Sequence, residues 1–179
     1  MNLQLFALLY NLTHRSQLFD WIVFVIAEYG DSIMIAITAV ALIVFFIHDK
    51  DWKRRKWVDW LEEVITMGFA TIIPWYVTYI LKIVFHIPRP FVTFAQVQPL
   101  VIETPFTSYP SGHATVFFAL ATAMYMYHKK LGYFFFGCAF LIALSRVVSG
   151  VHYPIDILVG AVIGISFAYL STIFLRKNK

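Results

Sequence analysis

Ser145-Arg146-Val147-Val148-Ser149-Gly150-Val151-His152-Tyr153-Pro154-Ile155-Asp156 is a polar interruption between two long apolar runs, Leu131 to Val148 and Pro154 to Leu175. Each run is near the length of a membrane crossing, for which about 20 apolar residues are needed. The chain therefore leaves an apolar medium at Arg146 and re-enters it at Pro154. An arginine, a histidine and an aspartate kept at such a place are costly, which marks a functional site. His152 and Asp156 are four apart with Pro154 between them. Proline suits the first turn of a helix, and a carboxylate within that turn can reach the imidazole. It would then fix the ring tautomer and sharpen the other nitrogen as a nucleophile. The plainer alternative is an aspartate that stabilises a helix start.

The composition agrees with a membrane setting. Of 179 residues, 60% are hydrophobic, 18% aromatic and 13% charged, against about 25% charged in soluble domains. The expectation is an all-α polytopic transmembrane bundle, a single domain over residues 1–179. Its partners are the bilayer and no nucleic acid, with oligomeric state left open. Cys138 is the one cysteine, so no disulfide framework is expected. No Lys or Arg precedes Arg15, so no cleaved signal peptide is expected.

Five spans follow from the apolar runs: Ile33 to Ile47, Val64 to Phe85, Gly112 to His128, Leu131 to Val148 and Pro154 to Leu175. Residues 2–29 read as interfacial helices closed by Glu28 and Asp31, or as a broken first span, which would make six. Pro74 is expected to kink its span, and Phe91 to Tyr109 is a loop poor in charge. Lys50, Lys53, Arg54, Arg55, Lys56, Lys129, Lys130, Arg176, Lys177 and Lys179 all fall on one side in this topology. That side is cytoplasmic by the positive-inside rule. Lys82, Arg89 and Arg146 then fall at the outer face.

Two further clusters converge on that face. Lys82 and Arg89-Pro90 add cations, and an arginine fork matches phosphate oxygens two at a time. Each cation alone is as well explained by snorkelling to headgroups. Pro110-Ser111-Gly112-His113 opens a span. Ser111 is a natural N-cap, and the free N–H groups of a helix start favour an anion. A plain cap beside an interfacial histidine is the alternative there. The histidine spacings match no metal-binding pattern.

Together the clusters read Lys82-x6-Arg89-Pro90, Pro110-Ser111-Gly112-His113 and Ser145-Arg146-x5-His152-x3-Asp156. They resemble the three-part signature of the type 2 phosphatidic acid phosphatase (PAP2) superfamily at all eleven fixed positions. The resemblance covers residues 82–156. It implies that His152 attacks phosphorus, Asp156 orients it and His113 protonates the leaving oxygen. Lys82, Arg89, Arg146, Ser111 and the Gly112 N–H would hold the phosphate oxygens, with neither cofactor nor metal. Leu18 to Gly30 is similar to bacterial undecaprenyl-diphosphate phosphatases, many of which carry Asp where this chain has Gly112. The implied activity is hydrolysis of undecaprenyl diphosphate at the outer face of a bacterial inner membrane. Phosphatidylglycerophosphate, phosphatidate and lipid A phosphates are the alternative substrates. A non-catalytic lipid transporter and a vanadium haloperoxidase-like protein are the other classes.

Overall fold

The computed structural model describes residues 2–48 and 57–176. The basic run Asp49 to Lys56 and the terminal Lys177 to Lys179 lie outside them. Among these residues seven helices follow in order: α1 (Asn2–Tyr10), α2 (Gln17–His48), α3 (Trp57–Phe85), α4 (Pro90–Thr93), α5 (Gly112–Tyr127), α6 (Lys129–Val148) and α7 (Pro154–Arg176). There is no strand among the described residues.

In the amino-terminal stretch the first short helix is separate as expected and the second is not. Residues 2–10 form α1, and residues 17–29 are the first part of one continuous α2. Between them the chain turns at His14, whose φ is +60°. The Asp20 carboxylate accepts from the His14 N–H at 3.0 Å. Glu28 and Asp31 do not end α2, because acidic side chains do not break a helix when they find water or a polar cavity. Glu28 is exposed and Asp31 faces the cavity described below. At 32 residues α2 is about 48 Å long, more than a hydrocarbon core of about 30 Å requires.

Among the described residues four segments are long and apolar enough to cross a membrane: α2, α3 with its extension to Thr93, α6 and α7. The expected count of five to six is too high by that measure. The remaining expected span, Gly112 to His128, is α5, which has 16 residues, about 24 Å of helix. α3 runs on through Pro74. Ile43, Ile47, Ile72, Leu158, Val162 and Phe174 point their apolar side chains outward, which suits lipid as the surrounding medium.

α5 is the central element and packs on α3, α6 and α7. Ala114, Ala119, Ala121 and Ala123 are fully buried along it, and small residues let helix backbones approach closely. The α7 side of that contact is Gly160-x3-Gly164. A β-carbon at Gly160 would stand 2.6 Å from the Ser111 carbonyl oxygen, and one at Gly164 would collide with that of Thr115. Thr78 donates to the Thr115 hydroxyl at 3.0 Å, which ties α3 to α5 within the buried region. α1 lies across the same end, with Phe6 buried against Val97, Val147 and Tyr153.

Candidate active site

Five helix ends meet where α1 lies. Lys82 is in the last turn of α3, and Arg89 caps α4 with extended backbone set between two prolines. Ser111 caps α5, its hydroxyl accepting from the Ala114 N–H at 3.5 Å. The Ser111 N–H donates to the Asp156 carbonyl at 3.0 Å, which joins the starts of α5 and α7. α6 ends through Ser149 and Gly150, where Gly150 has φ +79°. Only glycine takes that left-handed conformation without strain. A β-carbon there would also sit 2.9 Å from Val97. After this turn both the Val151 and His152 N–H groups return to the Arg146 carbonyl at 3.2 Å.

His152 is buried, with Nδ1 3.2 Å from Asp156 Oδ2. That oxygen also accepts from Ser108 Oγ at 2.6 Å and from the Tyr153 N–H at 2.9 Å. Two donors thus aim one carboxylate oxygen at the imidazole. With Nδ1–H given to Asp156, the lone pair lies on Nε2. Burial, and then the cationic Arg89, Lys82 and Arg146, hold the His152 pKa well below the ordinary histidine range. The ring is therefore neutral and Nε2 keeps its lone pair.

A cavity of about 360 Å³ opens in front of Nε2. Lys82, Arg89, Gly112, His113 and His152 line it, together with Glu103, Thr104 and Thr107. Ile35 of α2, Trp75 of α3, and Val116 and Phe117 of α5 form its apolar wall. Three residues singled out from the sequence do not line it. Asp156 stands behind His152, Ser111 is buried as the α5 cap, and Arg146 is covered by Glu103.

Arg89 is 3% exposed and fully engaged. Nε donates to the Thr104 carbonyl at 2.8 Å, Nη1 to that of Val151 at 2.9 Å, and Nη2 to Glu103 Oε2 at 2.9 Å. Nη1 also lies 3.1 Å from His152 Nε2. Arg146 Nη1 donates to the Ala27 carbonyl at 2.8 Å and Nη2 to Glu103 Oε1. Lys82 Nζ donates to the Thr107 carbonyl. The sequence reading missed Glu103 and Ser108. Glu103 did carry a signal: it is the one charged residue between Phe91 and Tyr109. Ser108 carried none.

A neutral, carboxylate-backed imidazole faces a cavity lined by cations and the N–H groups of a helix start. That is the equipment of phosphoryl transfer, in which positioning and fixed charge do most of the work. Residues 63–179 match the PAP2 superfamily. The chain is 30% identical over 170 residues to undecaprenyl-diphosphatase BcrC of Bacillus subtilis (strain 168), covering 95% of this chain and 82% of that one. It is 29% identical over 165 residues to a Bacillus licheniformis protein named bacitracin transport permease protein BcrC, covering 92% and 76%. The crystal structure of Aquifex aeolicus LpxE superposes with a TM-score of 0.73 at 30% identity, covering 95% of this chain and 93% of that one. The chain belongs to the PAP2 superfamily, and it is a membrane phosphatase of that superfamily.

Proposed function

We propose that the chain removes the terminal phosphate of undecaprenyl diphosphate at the outer face of a bacterial inner membrane. One observation carries the reading: neutral His152, oriented by Asp156, presents Nε2 to a cavity lined by Lys82, Arg89 and the start of α5. Nε2 attacks phosphorus, and the P–N bond forms as the bond to the bridging oxygen breaks. His113 gives its proton to that oxygen, so undecaprenyl phosphate leaves. Water then attacks the phosphohistidine, His113 takes the water's proton, and orthophosphate departs with His152 restored. Lys82, Arg89, Arg146 and the α5 N–H groups bind the phosphate oxygens and stabilise charge in both steps.

The apolar wall at Ile35, Trp75, Val116 and Phe117 supports a lipid substrate. α2 packs chiefly on α6, and its Ile35 lines the cavity together with Trp75 of α3. A tail held there reaches the bilayer without crossing water. The name of the Bacillus subtilis relative supports the choice of undecaprenyl diphosphate. That of the Bacillus licheniformis relative favours transport as the second reading.

Phosphate release by the detergent-purified protein in EDTA decides between them. The panel is undecaprenyl diphosphate, phosphatidylglycerophosphate, phosphatidate and lipid A, each beside His152→Ala. Release from undecaprenyl diphosphate above the other three, lost in the variant, is expected. Release that survives His152→Ala refutes the mechanism. Lipid movement without release from any of the four favours transport.

A further inference from the structure

Every cation of the site is engaged before any substrate arrives, and one short stretch supplies most of the partners. Glu103 gives one carboxylate oxygen to each arginine, the Thr104 carbonyl takes Arg89 Nε, and the Thr107 carbonyl takes Lys82. The backbone of this stretch is pinned. The Arg89 N–H donates to the Pro105 carbonyl at 2.9 Å and the Ser108 N–H to that of Ile87 at 3.1 Å. The Glu103 side chain, ion-paired to both arginines, is the part that faces the cavity. It is 21% exposed and lines the cavity, whereas the side chains of Arg89 and Arg146 are 4% and 2% exposed. Arg146 reaches the cavity only if that carboxylate leaves. Its Nε is buried with no partner among the described residues.

A carboxylate spreads one negative charge over two oxygens. So does the phosphodiester of an ordinary membrane lipid. A terminal phosphate carries up to two charges on three free oxygens. We propose that Glu103 is a specificity-determining residue: an internal anion that holds the Arg89–Arg146 pair against phosphodiester headgroups and yields it to a terminal phosphate. The inference rests on the phosphatase reading above. A phosphodiester that displaces Glu103 exchanges like for like and gains nothing. A dianion adds a charge and an oxygen, with which it engages Lys82 and the α5 start as well. The exchange also frees Nε2, because Arg89 Nη1 turns from His152 toward the phosphate.

The test is binding of orthovanadate, a phosphate analogue, to wild type, Glu103→Gln and Glu103→Ala in detergent micelles. It is read by thermal shift with and without phosphatidylglycerol, a phosphodiester lipid. Loss of the competing anion should let vanadate bind the variants at concentrations roughly tenfold lower or more, the scale of one charge-assisted hydrogen bond. Phosphatidylglycerol should compete with vanadate in the variants and not in wild type. Unchanged or weaker vanadate binding would assign Glu103 to holding the arginines in place, and overturns the proposal. Phosphatidylglycerol without effect on the variants overturns it too. Should neither variant fold, Glu103→Asp keeps the anion but shortens its reach by one methylene, and a smaller shift in the same directions is expected, its absence overturning the proposal. Vanadate binding needs no turnover, so a failure of the phosphatase reading shows in the phosphate-release panel and remains separate.

Discussion

His152 is a histidine whose surroundings keep it uncharged. Burial, then Arg89, Lys82 and Arg146, push its pKa well below the ordinary value of 6.5. For a depressed histidine the active neutral form persists as pH falls, and it is lost only through the lowered pKa. The acid limb of the pH dependence of kcat/KM is therefore expected below about 6.5. A limb at or above that value contradicts a nucleophile in this environment. Asp156→Asn tests the tautomer. An amide can donate to Nδ1 and move the ring proton to Nε2, so kcat should fall by about 10³–10⁴ while KM changes little. A variant within tenfold of wild type would show that the carboxylate does not set the ring. The residues of this pair were legible because their spacing is local. Glu103 was not, because its role depends on two arginines 14 and 43 positions away.

At the scale of elements, the site depends on how closely α5 and α7 approach. Gly160 and Gly164 meet the Ser111 and Thr115 carbonyls, so this contact sets where His113 stands relative to His152. Gly164→Leu should destabilise the fold by about 1–3 kcal/mol, the usual cost of overpacking. It should lower melting temperature and activity together. Gly137→Ala is the control, since a β-carbon there meets nothing within 4 Å; its effect should stay within about 0.5 kcal/mol. Equal melting temperatures for the two variants would remove the contact from the account. The helices from α3 onward were largely legible, because uninterrupted apolar runs have few alternatives in a membrane. The start of α2 was not. Glu28, Gly30 and Asp31 look like a terminus in one dimension. In three, Gly30 is pressed against Ile142 and Asp31 faces the cavity.

For the whole molecule the open question is which side the site faces. Lys129 and Lys130 begin α6, at the end of that helix opposite Arg146 and the site. By the positive-inside rule the proposed orientation has the site facing outward. Ile102 lies on the loop over the site and is 99% exposed. In a background with Cys138→Ala, Ile102→Cys should react with an impermeant maleimide added to intact cells. Lys130→Cys should react only after permeabilisation. The reverse pattern contradicts the orientation. Composition made the membrane setting plain, and α5 ends within one residue of the expected Gly112 to His128 run, but at 16 residues it is too short to count among the candidate crossings.

The most direct test of the central claim is to trap the covalent intermediate. Acid destroys phosphohistidine, so a turnover mixture with the lipid diphosphate is quenched in alkali and mapped by mass spectrometry. The account predicts a phosphoryl group on His152, absent from His152→Ala, whose phosphate release should fall by about 10³ or more. Rapid turnover with no phosphoryl group on His152, or with one on another residue, would contradict it.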